Sequence, residues 1–313
     1  MKKESLAIVV PFYNENQDGV IDNFFKQAIK TANDITDDWE IICVDDGSRD
    51  ETYGELLKYA KTDSRIKTIQ LARNFGKEIA LSCGLCHVTK DYAVPIDCDL
   101  QDPLELIPIM LTEIKTGDFD SIVAVRSARD ESFVKRFFCK IFYKLMNFFS
   151  DRPIIENAGD FRLVNRKMLD TFKQMSETNR YVRGIWGWMG FKVKKIYFKR
   201  PDRLSGNPTQ SYKKLFTLGF DAIISSSSKP LRLSLVSGFL LSLFAMIFLV
   251  FVVIKTLLYG FSETKGLATI LSIVLFFNGF ILIHIGILSE YVGRIYTETK
   301  DRMLYVVKNK ENI

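Results

Sequence analysis

The stretch Tyr92-Ala-Val-Pro-Ile-Asp97-Cys-Asp99-Leu-Gln-Asp102-Pro103 reads as an apolar strand running into two carboxylates one residue apart, with a third just before a proline. Along a strand, residues two apart share a face, so Asp97 and Asp99 are expected to converge if that geometry holds past the strand end. Converging carboxylates repel unless a cation lies between them, and a hard divalent ion bridging phosphate oxygens suits such a pair. Taken alone, each aspartate reads equally as a turn residue. The rest of the chain has to supply the context.

The elements that would position these acids follow a repeating pattern. Residues 6–11, 39–44, 66–71 and 92–96 are short apolar runs of the kind buried on both faces of a parallel sheet, and helix-like segments follow the first three. Strands alternating with helices predict a doubly wound α/β domain, in which ligands sit beyond the carboxyl ends of the strands. Asn14, Glu15, Asp45, Asp46, Arg73, Asp97 and Asp99 all fall at such ends. Gly47 permits a tight turn after the two acids, and Ser48 is expected to cap the next helix. The sequence holds neither GxGxxG nor GxxxxGK[ST], so phosphates have no glycine-rich cradle and a metal held by acids would have to do that work.

Further along, 121–126 reads as a strand with a basic end at Arg126. Residues 132–150 mix Lys and Arg with Phe and Tyr, which predicts a helix at a lipid interface, the alternative being a helix packed on the sheet. In Gly159-Asp-Phe-Arg-Leu163, Asp160 could orient a substrate hydroxyl or a nucleophile and Arg162 could clamp a phosphate, although a structural salt bridge would look the same. Residues 180–188 are aromatic, basic and glycine-containing, which fits a pocket wall better than a helix interior. Residues 192–203 predict a basic edge strand, facing anionic headgroups or simply solvated. A loop over 207–211 and a helix over 212–228 complete this part.

The chain has 313 residues, with 43 Lys and Arg against 37 Asp and Glu, a balance that predicts no nucleic-acid partner. Residues 233–254 are uncharged and apolar, and 266–289 are interrupted only by Asn278 and His284. Each is long enough to cross a hydrocarbon core of roughly 30 Å as a helix, and the short 259–265 connection makes the two a hairpin. Lys229, Arg232, Arg294, Lys300 and Arg302 flank the hairpin and place the remaining chain in the cytoplasm. Residues 6–11 are too short for a cleavable signal segment. The five cysteines all lie in the cytoplasmic part, and Cys83 and Cys86 read as packing residues rather than metal ligands. His87 and His284 have no partner that makes a catalytic pair, and His284 and Asn278 are expected to bond between helices.

With these residues laid out, the chain resembles the membrane-bound polyprenyl-phosphate glycosyltransferases of family 2, the kin of dolichyl-phosphate mannose synthase and bactoprenol glucosyltransferase. The likeness rests on Pro11-Phe-Tyr-Asn-Glu15, Asp45-Asp-Gly-Ser48, Arg73-Asn-Phe-Gly-Lys77, Asp97-Cys-Asp99-Leu-Gln-Asp102-Pro103, Gly159-Asp-Phe-Arg-Leu163 and Ser289-Glu-Tyr-Val-Gly-Arg-Ile-Tyr296. It implies an α/β, Rossmann-like GT-A nucleotide-sugar domain with a mostly parallel sheet over 1–210, then interfacial helices and a two-helix transmembrane hairpin. The expected boundaries are a juxtamembrane helix over 211–232, spans over 233–258 and 266–289 joined by an extracytoplasmic loop over 259–265, and a cytoplasmic tail over 290–313.

By the same resemblance, Asp97, Asp99 and Asp160 are the catalytic residues, and Asp97 and Asp99 hold Mg²⁺ or Mn²⁺. Pro11, Tyr13, Glu15, Asp45, Asp46, Arg73, Lys77, Asp97 and Gln101 contact the donor, with Asp45 on the nucleoside and Asp46 assisting. Arg126, Arg162 and Arg203 hold the acceptor phosphate. The implied reaction passes a sugar, glucose favoured, from a UDP-sugar to undecaprenyl or another polyisoprenyl phosphate at a bacterial cytoplasmic membrane, with inversion and no glycosyl-enzyme. Membrane lipids, a second copy of the chain and a lipid-sugar translocase are the implied partners. Transfer of an amino sugar to the same lipid, elongation of a polysaccharide with Asp160 as base, and an inactive nucleotide-sugar-binding scaffold are the alternatives. One departure stands out: Gly206-Asn-Pro-Thr-Gln210 lies where the family carries a compact Gly-x-Ser/Thr-Lys, so a lysine near the donor phosphates is absent.

Overall fold

A computed structural model describes residues 4–17, 19–127, 155, 158–178, 180–198, 229–259 and 266–313. The expected interfacial helix over 132–150, Arg203, the 206–210 departure, the 212–228 helix and the 260–265 turn lie outside them. The chain divides into two units, Met1–Phe216 with Arg302–Ile313, and Thr217–Asp301.

The first unit is built on an eight-stranded sheet in the order β7-β5-β6-β4-β1-β2-β3-β8. Its strands are β1 (Leu6–Phe12), β2 (Trp39–Asp45), β3 (Ile66–Leu71), β4 (Tyr92–Pro95), β5 (Ser121–Arg126), β6 (Ala158–Asn165), β7 (Val193–Phe198) and β8 (Val307–Glu311). The pairs β1–β2, β1–β4, β2–β3 and β5–β7 are parallel. The pairs β4–β6, β5–β6 and β3–β8 are antiparallel. The sheet is mixed and mostly parallel, as the alternating pattern predicts.

Side-chain alternation explains why the central strands are mostly apolar. Leu6, Ile8, Val10 and Phe12 of β1 face one core, shared with Phe24 and Phe25 of α1 (Val20–Ile35), Leu56 of α2 (Thr52–Thr62) and Met110 of α4 (Leu106–Thr116). Ala7 and Val9 face the other, shared with Leu81 and Leu85 of α3 (Lys77–His87), Phe172 of α5 (Arg166–Lys173) and Trp186 of α6 (Val182–Trp188). A two-residue period with both faces covered makes β1 apolar throughout, and the buried Glu40 of β2 is tolerated because Thr89 and Lys67 bond it. Full burial of each such large side chain stabilises the fold by about 1.5–3 kcal/mol. Asp45 ends β2 and Asp97 follows just past β4, so the acids lie at the carboxyl ends of the strands.

Segment 180–188, expected as a pocket wall, is mostly helix. Val182, Ile185 and Trp186 are buried on one side of α6, and their i, i+3, i+4 spacing outweighs the two glycines, Gly184 and Gly187. Ser48 does not cap α2 as expected. Its hydroxyl accepts the Asn14 amide at 2.9 Å, and the amide and hydroxyl of Thr52 both donate to Asp50 instead.

The second unit contains α7 (Lys229–Tyr259) and α8 (Gly266–Thr299). Both are long and apolar enough to cross a membrane, and their apolar stretches are not buried by protein. The helices bond to each other through Ser237 Oγ and His284 Nε2, 3.0 Å apart, as expected for His284. α8 runs ten residues past the expected span end at 289, to Thr299. The expected tail is thus partly helix, and its residues 307–311 return as β8 in the first unit's sheet.

Candidate active site

The carboxyl ends of β1 and β2 are tied into one surface. Asn14 sits in the left-handed region, at φ 54°, and its side-chain oxygen accepts the Arg49 amide at 2.9 Å. The Glu15 amide donates to Thr52 Oγ1 at 2.9 Å. Asp45, the last residue of β2, is fully buried. One carboxylate oxygen accepts the Ser48 amide at 3.2 Å, while Oδ2 has no partner among the described residues. Burial pushes the Asp45 carboxyl up, against the opposing influence of Ser48 and the Gln70 side chain. A buried acceptor with a free lone pair suits a donor such as a nucleobase N–H.

Asp46 is tied to the neighbouring loop. Its two oxygens accept the amides of Phe75 at 2.7 Å and Gly76 at 2.9 Å, so it holds the 72–77 loop. Gly47 makes the approach possible. Its φ is +66°, and a Cβ there would overlap the backbone of Arg73.

Past β4, Asp97 is partly buried and Asp99 exposed. Asp99 Oδ1 accepts the Gln101 amide at 3.1 Å, and the Gln101 side-chain oxygen is buried with no partner among the described residues. Burial raises the Glu15 carboxyl, and the charges of Asp99, Asp50 and Asp97 raise it further, so acids following β1, β2 and β4 lie near one another. Lys77, at the start of α3, answers this charge. Its Nζ lies 2.6 Å from Asp97 Oδ1 and 3.3 Å from Asp160 Oδ2. Burial alone would lower the ammonium, but Asp97 and Asp160 outweigh it and hold it above its ordinary value.

Asp160 comes from β6 and is 6% exposed. Arg183 of α6 grips it with two bonds, Nε to Oδ1 at 2.8 Å and Nη2 to Oδ2 at 3.0 Å. Burial pushes the Asp160 carboxyl up, yet the Arg183 bonds and the charges of Arg183, Lys77 and Arg162 hold it well below the carboxylate range. Arg162 is itself buried, and burial pushes its guanidinium down to about 10. It donates to the Gly159 carbonyl at 3.4 Å and stands 5.7 Å from the Trp186 ring centroid. Arg126, one-third exposed, lies 3.6 Å from Asp102.

Of the other expected residues, Pro11 is in β1 beside Val44 and Tyr13 is exposed at the strand's end. Arg73 is exposed, with its guanidinium 4.0 Å from the Phe75 ring centroid. The structure thus gathers Asp97, Lys77 and Asp160 into direct contact, with Glu15 and Asp99 near, and sets Asp45 apart on β2. Arg183 was not singled out by sequence, although its motif was. Glu78, which accepts the Val182 amide at 2.9 Å and so positions α6, was also missed.

Among the described residues no group of three or more His, Cys, Asp and Glu side chains is arranged to hold a metal. Asp97 and Asp99 still fit a hard cation that draws its remaining ligands from phosphate and water, which is how Mg²⁺ is usually held. The ammonium on Asp97 is direct evidence that the position accepts positive charge.

Residues 7–172 match the family Glycosyl transferase family 2. An uncharacterized glycosyltransferase of Synechocystis is 37% identical over 97% of this chain and 95% of its own. The bactoprenol glucosyl transferase of Shigella phage SfX is 36% identical over 98% of this chain and 99% of its own. Among solved structures, a mannosyltransferase of Pyrobaculum calidifontis in complex with GDP-Man and Mn²⁺ aligns at 15% identity and TM-score 0.48, over 96% of this chain and 88% of that one.

Proposed function

Because this chain belongs to glycosyl transferase family 2, we propose that it transfers glucose, with inversion, from UDP-glucose to undecaprenyl or another polyisoprenyl phosphate. The observation that carries the chemistry is the Lys77 bridge between Asp97 and Asp160, beside Glu15 and Asp99. The full-length likeness to a bactoprenol glucosyl transferase supports the sugar and the lipid class.

In this reading the free oxygen of Asp45 accepts a nucleobase N–H, and Pro11, Tyr13, Arg73 and Gln101 line the donor. Asp97 and Asp99 would hold Mg²⁺ or Mn²⁺, which would offset the negative charge on the departing diphosphate. Lys77 adds its ammonium to the same region. The acceptor phosphate, with a second pKa near 6, is already ionised and needs positioning more than deprotonation. Its oxygen bonds to the anomeric carbon from the face opposite UDP as the bond to UDP breaks. Arg126, and Arg203 outside the described residues, bind that phosphate. Arg162 is buried, and serves instead to hold the charge of Asp160, which orients sugar or acceptor groups.

A carboxylate held as low as Asp160 is a weak base. That disfavours the reading in which it deprotonates a sugar hydroxyl during polysaccharide elongation. We also assign α7 and α8 to the cytoplasmic membrane of a bacterium, with the catalytic unit on the cytoplasmic side. Their outward apolar faces contact lipid, a second copy or a translocase. Incubation of the purified full chain with Mg²⁺, undecaprenyl phosphate and a panel of labelled UDP-sugars tests the reaction. Organic-extractable label from UDP-glucose, lost in Asp99→Ala, is expected. Label from UDP-N-acetylglucosamine alone would change the sugar, and label only on an added saccharide would sink the lipid acceptor.

A further inference from the structure

Strand β8 reaches the donor side of the sheet at the point where the 72–77 loop leaves it. Tyr305, partly buried, packs against the core that α3 shares, the Val306 carbonyl accepts the Ala72 amide at 2.8 Å, and Val307–Glu311 pairs with β3. The segment therefore touches the strand before the loop, the loop's first amide and the helix after it. Asn312 anchors its end, donating from Nδ2 to the Ala60 carbonyl at 2.7 Å and the Ile66 carbonyl at 2.8 Å.

Register then links β8 to the nucleoside position. Asp45 of β2 is the register neighbour of Gln70 in β3, and Gln70 is the register neighbour of Asn309 in β8. Register neighbours on adjacent strands share a face. Asn309 Nδ2 donates to Gln70 Oε1 at 2.7 Å. An amide whose oxygen is taken in this way is left with its NH₂ as the group to offer, and that is the group a carboxylate needs.

We propose that the 305–312 segment is a positioning element of the donor site: through Asn309 it fixes the orientation of the Gln70 amide beside Asp45, and through Val306 it holds the start of the 72–77 loop. This rests on the assignment of Asp45 to the donor nucleoside. Because β8 follows α8 by only a short link, donor affinity depends on a strand that the second apolar helix delivers.

The test measures UDP binding in the presence of Mn²⁺, and the KM and kcat for UDP-glucose, on the full chain in detergent. Asn309→Ala is expected to weaken UDP about fivefold and raise KM similarly, with kcat falling less than twofold. Asn309→Asp is nearly isosteric on an exposed edge, so a purely structural role predicts almost no effect. The proposal predicts a loss at least as large as for alanine, because aspartate cannot donate and Gln70 turns its oxygen towards Asp45. Adding Gln70→Ala to Asn309→Ala should cost nothing further. Wild-type affinity in both Asn309 variants, with Asp45→Ala weakened, would overturn the proposal alone. Wild-type affinity in Asp45→Ala as well would overturn the donor assignment beneath it.

Discussion

Asp160 meets cations from three places in the sequence: Arg183 from α6, Lys77 from the start of α3, and Arg162 from its own strand. Its folded-state pKa is depressed, so its stabilising bonds are fully present above the unfolded value of about 3.9 and are lost as pH falls through the lower folded value. Across neutral and mildly acidic pH it stays an anion. An acid limb in kcat/KM near pH 6 would then belong to the acceptor phosphate or to a raised carboxyl such as Glu15, and not to Asp160. Asp160→Asn should lower the rate while leaving that limb in place, and disappearance of the limb in a pH–rate series would reassign it to Asp160. Arg183→Ala removes the two-point grip and leaves a buried carboxylate with Lys77 and the buried Arg162. Because Arg183 is 38% exposed, solvent screening brings the cost below that of a fully buried pair, to about 1–2 kcal/mol. Thermal melts should show this loss at pH 7 and a smaller one near pH 4, where the carboxyl of the variant takes up its proton. Arg183→Lys should recover part of it, since an ammonium keeps the charge but not the planar fork.

At the scale of elements, the loops are set by hydrogen bonds that run between strand ends. Asp46 ties the β2 turn to the 72–77 loop, and Gly47 allows the two backbones to meet. Asp46→Ala should release Lys77 from its place against Asp97 as well as lose about 3 kcal/mol for two amide bonds to a carboxylate. Gly47→Ala adds a left-handed penalty of about 1–2 kcal/mol to a backbone overlap. Both variants should lose UDP binding before they lose the fold, which isothermal titration beside circular dichroism separates; intact binding in either would free the loop from this role. The strand ends themselves were legible in the sequence, because the apolar runs give way to acids at Asp45 and Asp97. What stayed hidden depends on distance in the chain. Nothing local pairs Arg183 with Asp160, and Val307-Lys-Asn-Lys-Glu311 lacks the apolar alternation of a strand because it lies on an edge whose lysines face solvent. The helical period of Val182, Ile185 and Trp186 was outweighed by the neighbouring glycines.

In the whole molecule, the apolar helices are an excursion between two strands of one sheet. α7 follows β7 and α8 precedes β8, and both strands belong to the first unit. Two crossings would therefore bring the chain back to the side it left. Tags placed before β1 and after β8 should both be digested by protease in inverted membrane vesicles and both be protected in intact spheroplasts; opposite accessibility would rule out the hairpin. The same interleaving has a consequence for how the protein is made. Synthesis proceeds from the N-terminus at about 5–20 residues per second, so the first seven strands emerge before α7 and α8, and β8 only after both. Until then β3 is an open edge and the Ala72 amide lacks its carbonyl. The order of translation thus ties completion of the catalytic sheet to prior delivery of its anchor.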